Sequence, residues 1–345
     1  MQIGYFMDTH GLGIRDDDDW WLQPIPAPEM EPLEIARIGE ENGFHSLWFS
    51  DHVAMPPQSV PITYANPDTG KRHYPARPVM LDGAAVMGAV AATTTRIKMA
   101  PSVLIAPYRP PMHDARQFST IDHLSNGRLI MGVGAGWCRE EFEGLGLRFE
   151  DRVSMTEECI EIYKRAWDQE SELVSFQGQH YRFQDLSMDP KPLQRPHPPI
   201  IYGGTTPLGA RVAARSCDGL YPMFPSPKAR PEDKDSLLEI IRREADRNGR
   251  DLSQFALLGS VSARVTDADD PHGRKVPRPI CGGTPEQVLS DLERFAEHGY
   301  CLMVLHLDCP SRRVDELKEQ LYRVAEEVLP IAATFRPQGE WRKEL

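Results

Sequence analysis

Short apolar runs rich in β-branched and aromatic side chains alternate along the chain with longer stretches in which apolar residues recur every three or four positions. The runs at 2–7, 46–50, 97–105, 128–133, 199–203, 219–222, 255–265 and 301–307 predict strands. The periodic stretches at 32–42, 82–92, 111–123, 152–169, 207–216, 231–248, 284–298 and 312–331 predict helices. Their ends carry matching punctuation. Gly43 follows the first helix, and Thr284-Pro285 opens the seventh with a capping hydroxyl and a proline at the first helical position. Eight strands, each followed by a helix, is the count of a (β/α)8 TIM barrel, an α/β fold; a doubly wound open sheet is the other arrangement with this pattern.

Three stretches break the alternation. Residues 54–80 hold six prolines and no clear period, residues 173–184 read as a β-hairpin turning at Gln177-Gly178, and residues 267–280 are polar. In a barrel the first and third follow strands two and seven, so they lie on the C-terminal face as long loops, and they read as lids. No linker splits the chain. Residues 1–335 therefore read as one domain and 336–345 as a polar C-terminal tail.

Composition narrows the class. The 345 residues include 51 acidic and 39 basic side chains, a net charge of −12, which argues against nucleic acid or an anionic membrane as partner. No basic n-region or cleavage site precedes the apolar start, and the longest uncharged helical run, 83–95, is too short and too rich in Gly and Thr to span a bilayer. A cytoplasmic location follows as the expectation. The six cysteines show no CxxC spacing and are expected as free thiols.

The chemistry gathers at predicted strand ends. The apolar run SLWFS finishes on Asp51 and His52, and a histidine there could donate a hydrogen bond or a proton to a bound ring, its unperturbed pKa lying near neutrality. The alternative is that Asp51 caps a backbone amide and His52 packs under the proline-rich loop. Strand four runs into Gly132, Gly134, Ala135, Gly136 and Trp137, where missing side chains would let backbone approach a planar or phosphorylated ligand, or would simply form a tight turn. It is not the dinucleotide fingerprint, because the third glycine is not at the required spacing. After strand five, Gly203, Gly204, Thr205, Thr206 and Pro207 form either an anion site at a helix N-terminus or an ordinary capped helix start. Metal chemistry is not indicated. Asp8 and His10 end strand one and His306 and Asp308 end strand eight, but neither an HxH on strand one nor an HExxH is present. There is also no GxSxG elbow.

Taken in order, GFHSLWFSDHV, RIKMAPSVLIAPYRPPMHDARQFSTIDHLSNGRLIMGVGAGWCREEFEGLG, PPIIYGGTTPLGARVAARSCDGL and CGGTPEQVLSDLERFAEHGY resemble the luciferase-like monooxygenase superfamily. The resemblance runs to about residue 330. It implies a TIM barrel with a flavin or deazaflavin ring in its mouth and the cofactor phosphate near the loop after strand five. It implies that His52 lies beside the ring, that Ser102-Val103 forms a non-proline cis peptide against it, that Gly134 to Trp137 wall it, and that Gly203, Gly204 and Thr205 hold the phosphate. It further implies a small-molecule substrate and a homodimer through helices two and three. Two positions depart from the family. Ala135 stands where the deazaflavin sugar-phosphate dehydrogenases carry Glu, and His113 stands where bacterial luciferase carries an Arg toward the phosphate.

Two enzymatic readings follow: a two-component monooxygenase using O2 and reduced FMN from a separate flavin reductase, or a coenzyme F420-dependent hydride-transfer oxidoreductase. The lack of an NAD(P)H fingerprint suits the first, and Arg274, Lys275 and Arg278 could receive the polyglutamate tail of the second. A third reading, a non-catalytic flavin-binding protein, would be expected to lack the ring-facing His52. Trp20, Trp21, Tyr64, Tyr74 and Trp137 are available to line an aromatic-tolerant pocket.

Overall fold

Burial of the strands on both faces drives the observed architecture. In the computed structural model, which describes residues 1–7, 27–56, 80–224, 229–267, 280–309 and 313–345, the strand-forming runs assemble into parallel strands. They are Gln2–Met7, Ser46–Phe49, Lys98–Pro101 with its continuation Leu104–Ile105, Met131–Gly134, Ile200–Gly203, Gly219–Tyr221, Ala256–Val265 and Leu302–Leu307, numbered here as strands one to eight. Strand one pairs with strands two and eight, and strand seven pairs with strands six and eight. The ring closes where Met99 of strand three bridges Leu129 and Ile105 pairs with Gly134 of strand four. The expected (β/α)8 barrel is thus the fold, and the open sheet is excluded by the closure.

Alternate residues of each strand serve two cores. Trp48, Ala100, Ile130, Ile201, Tyr221, Leu258, Leu302 and Val304 fill the barrel interior. Their sequence neighbours, such as Leu47, Met99, Met131 and Met303, face the enclosing helices. The helices keep close to their expected bounds, among them Pro32–Glu41, Gly83–Thr93, Pro111–Leu124, Arg152–Trp167, Pro207–Ser216 and Pro285–Glu297. The capping hydroxyl and proline of the last are present as a full capping box, with Gln287 reaching back to Thr284. The hairpin is also present, Val174–Gln177 against Arg182–Leu186.

Two features differ from the reading of the sequence. A short helix, Arg139–Gly144, follows strand four; six residues with Phe142 as their one large buried apolar side chain give too little periodicity to register. The last ten residues, polar in composition, are packed against the barrel. Trp341 and Leu345 are buried, Arg342 N–H donates to the Phe255 carbonyl, and Lys98 and His45 reach the Leu345 oxygen. Two apolar side chains were enough to dock the segment.

Strand three breaks at a bulge whose peptide, Ser102-Val103, is cis. The neighbouring strands accommodate it by lacking side chains. A Cβ on Gly132 would meet the Pro101 carbonyl at 2.1 Å, and one on Gly134 or Gly203 would meet the Val103 methyls at 2.5 or 2.4 Å. Gly203→Ala should therefore cost about 1–3 kcal/mol of stability through overpacking. Combined with Val103→Ala, the loss should be clearly less than additive in urea unfolding; strict additivity would mean that Val103 is not what fills this space.

Candidate functional site

Because all eight strands run parallel around a closed ring, their carboxyl ends share one rim. That rim brings together the ends of strands two, three, four and five, where every sequence-derived site residue lies. The interior beneath it is unlike the packed layer below. The inward positions at the strand ends include Phe6, Ser102, Val103, Gly134, Gly203, Ser262 and His306, small or polar apart from Phe6 and Val103. Such a layer can seat a flat ligand without displacing bulky side chains.

His52 is held there by a group that sequence reasoning missed. Its Nδ1 lies 2.8 Å from Oε2 of Glu141, on the short helix after strand four. The same carboxylate oxygen accepts the Tyr108 hydroxyl at 2.8 Å, while Oε1 accepts the backbone N–H groups of Val53 and Ala54 at 2.6 and 2.9 Å. The Glu141 side chain has no exposure and that of His52 has 13%. Burial opposes the charge of Glu141, yet the hydrogen bonds from His52, Ala54 and Tyr108 outweigh it and hold its pKa below the ordinary carboxylate value. An ionised Glu141 accepts Nδ1–H, which leaves Nε2 of His52 for a ligand. Trp137, placed by the strand-four turn, stands edge-on to the imidazole at 5.7 Å. The signal for Glu141 was present in GWCREEF, as an acidic pair in the first turn of a helix beside Phe142, but a buried partner for it could not be named from one strand end alone.

Asp51 turns out to be occupied. It accepts a bidentate pair from Arg109 at 2.9 and 2.6 Å and the Ile105 amide at 2.9 Å. Asp51 thus caps a backbone amide, with Arg109 added. Behind this pair Asp114 is fully buried; Tyr163 donates to Oδ2 at 2.9 Å, and Oδ1 has no hydrogen-bond partner among the described residues. Burial raises its pKa to about 7 against the opposing pull of Arg109. His113, at the position that departs from luciferase, is exposed with Nδ1 3.8 Å from Asp114.

The glycines of strands four and five make room for Val103, and Gly136, at φ +76°, packs its backbone against Ile105 and Phe142. Ala135 lies beside it, half-buried. Ser102 donates to the Tyr221 hydroxyl at 3.2 Å. After strand five, Gly204 N–H donates to the Tyr221 carbonyl, Thr206 caps Gly209 at 3.1 Å, and Thr205 is exposed. The helix start is therefore properly capped and its first turn points at the rim, compatible with an anion. Asp8, His10, Trp20, Trp21, Tyr64, Tyr74, Arg274, Lys275, Arg278 and nearly all of the two expected lids lie outside the described residues.

Residues 1–325 match the family model of luciferase-like monooxygenases. An uncharacterized protein of Mycobacterium tuberculosis is 34% identical over 193 residues, 55% of this chain and 66% of that one. An FMNH2-dependent dimethylsulfone monooxygenase of Pseudomonas putida is 33% identical over 184 residues, 52% of this chain and 48% of that one. The matched part thus spans half to about two thirds of these relatives' length. Among solved structures, an F420-dependent secondary alcohol dehydrogenase superposes with a TM-score of 0.71 at 21% identity, covering 96% of this chain and 98% of that one; at that identity the likeness speaks for the fold.

The two buried carboxylates should give opposite pH dependences. Folded Asp114 keeps its proton to about pH 7 while the unfolded chain releases it near 3.8, so its contribution is fully present below that value and is lost as pH rises toward 7. Asp114→Asn should therefore gain stability relative to the parent at pH 7–8 and lose that gain by pH 4. Glu141, with its folded pKa below 4.5, stabilises above that pH and loses its contribution as pH falls further. Glu141→Gln should be destabilised at pH 7 and converge with the parent under acid. Denaturant midpoints across pH 3–8 check both signs.

Proposed function

The chain belongs to the luciferase-like monooxygenase family, and from that premise we propose that it is a two-component monooxygenase that takes reduced FMN from a separate flavin reductase and uses O2 to oxygenate a small organic substrate. The observation that carries this reading is His52: a rim imidazole fixed through Nδ1 by buried Glu141, with Nε2 left for a ligand. The relative named as FMNH2-dependent supports FMN as the cofactor. The rim fits such a group. Its inward positions are mostly small or polar, Trp137 offers a ring wall, and Thr205 with the start of Pro207–Ser216 offers an end for a phosphate.

Bound there, reduced FMN supplies the electrons that activate O2. The chain's own contribution is positional and protic. Glu141 fixes the imidazole's tautomer and tilt, so Nε2 accepts a proton or hydrogen bond at a constant place. Trp137 stands edge-on to the same ring. The buried Asp51–Arg109 pair holds the exit of strand two to strand three, so the imidazole does not drift from the bulge at Ser102. Helix Gly83–Thr93 carries no charged residue and exposes Ala85 and Ala92, which supports a homodimer through this face. No helix among the described residues is long and apolar enough to cross a membrane.

Reduced FMN and reduced F420 should be titrated side by side; micromolar affinity for FMN is expected, and binding of the deazaflavin alone would replace the monooxygenase reading with hydride transfer. With dimethyl sulfone as the first substrate tried, His52→Ala should bind FMN within about threefold of the parent and yet release most reducing equivalents as hydrogen peroxide. A variant whose coupled product is undiminished would remove His52 from the reaction.

A further inference from the structure

At the end of the barrel opposite the mouth, a line of hydrogen bonds joins the C-terminal segment to the barrel interior. Just before strand two, His45 Nδ1 lies 3.1 Å from the Ser46 hydroxyl and Nε2 lies 3.2 Å from the Leu345 oxygen. The Trp48 indole N–H donates to the same hydroxyl at 2.8 Å. Ser46 and Trp48 are fully buried, and the Leu345 side chain joins the cluster that fills the interior. Strand one leaves room for this line by carrying no side chain at Gly4, where a Cβ would meet the Ser46 hydroxyl at 2.5 Å and Trp48 Nε1 at 3.2 Å.

Every proton along the line has a fixed place. A main-chain oxygen only accepts, so His45 donates to Leu345 from Nε2. Burial, with Lys98 adding to it, pushes the His45 pKa down to about 4, so the ring is neutral at ordinary pH and Nδ1 is an acceptor. The Ser46 proton therefore goes to Nδ1, and the Ser46 oxygen takes the indole N–H. Lys98 donates to the same Leu345 oxygen. No donor faces a donor anywhere in the chain of contacts.

Above the indole the contacts continue to the mouth. Trp48 packs on Tyr221 with ring centroids 4.8 Å apart. The Tyr221 hydroxyl accepts from Ser102 at the strand-three bulge at 3.2 Å, and its carbonyl accepts the Gly204 N–H in the loop after strand five. A buried indole N–H deprived of its acceptor turns or tilts to find another, and Tyr221 lies against that ring.

We propose that His45 is a positioning residue: it ties the docked segment 341–345 to the indole of Trp48 and, through Tyr221, to the floor of the mouth. The tie to Tyr221 stands without any cofactor; its effect on a flavin rests on the FMN reading. By reciprocity, a ligand that fills the mouth tightens the docked segment in return.

The whole protein labelled with 15N-histidine, 15N-tryptophan and 13C-tyrosine tests both ends of the line. Without any variant, His45 should hold its proton on Nε2 at pH 7. Ser46→Ala should shift the Trp48 indole N–H and the Tyr221 ring carbon, while the Arg342 and Leu345 amides exchange within about threefold of the parent, because His45 keeps its bond to Leu345. His45→Phe should speed those two amides about tenfold or more, and His45→Gln, which keeps an N–H donor near Nε2, should recover most of that protection. Reduced FMN should bind Ser46→Ala about threefold or more weakly than the parent, and should slow the two amides in the parent. An Nδ1–H tautomer, a Tyr221 signal that Ser46→Ala leaves in place, His45→Gln exchanging like His45→Phe, or FMN binding the parent and Ser46→Ala alike would each overturn the proposal. If the histidine and ring signals behave as expected while reduced FMN does not bind the parent at all, the flavin reading fails and the positioning role of His45 stands.

Discussion

Glu141 is nearly inaccessible to water, and the groups that occupy its two oxygens come from separate parts of the chain: the side chain of His52, the amides of Val53 and Ala54, and the hydroxyl of Tyr108. A carboxylate in such a place costs several kcal/mol unless its oxygens are fully used. Here all of those contacts are at hydrogen-bond distance, and three elements are joined as a result. The exit of strand two, the turn after strand three and the short helix after strand four meet at one atom pair. The direction of the His52 ring, the path of residues 53–54 and the seat of Tyr108 are therefore a single variable, set by one buried side chain.

A second constraint acts beside it through absence of matter. Val103 projects between strands four and five, and the space it fills exists because Gly134 and Gly203 have no Cβ. The bulge also carries Ser102 to within reach of Tyr221. Polar contacts and missing side chains thus cooperate: the first fix where strand two ends, the second let strand three step inward toward the same mouth. Both rely on the closed parallel ring, which puts every carboxyl end on one rim.

The elements were legible because each was over-determined. Strand two is an apolar run ending in a polar pair, helix seven opens on a capping hydroxyl and proline, and the eightfold alternation admits few other folds. The site was only half legible. His52 announced itself by type and place, whereas Glu141 lies 89 residues further on and becomes its partner only through closure of the barrel. Gly134 was read as a point where backbone could approach a ligand and Gly203 as part of an anion site; what the structure shows beside both is Val103, a contact between strands that no local pattern encodes. Asp51 was seen, yet its engagement by Arg109 depends on the path of the chain after strand three.

The two rim histidines show why residue type alone does not assign a role. His52 has an ionised carboxylate on Nδ1, which offers a counter-charge if the ring takes a proton during turnover. His306 has a hydroxyl on Nε2 and a phenyl ring on its face, and burial pushes its pKa down to about 4. The first arrangement suits a group that moves a proton; the second keeps its ring neutral at ordinary pH. The same side chain on the same rim is thus directed to different chemistry by its backing partner, and in a family whose members share the barrel it is these backing contacts, more than the strand-end residues themselves, that can change the reaction without changing the fold.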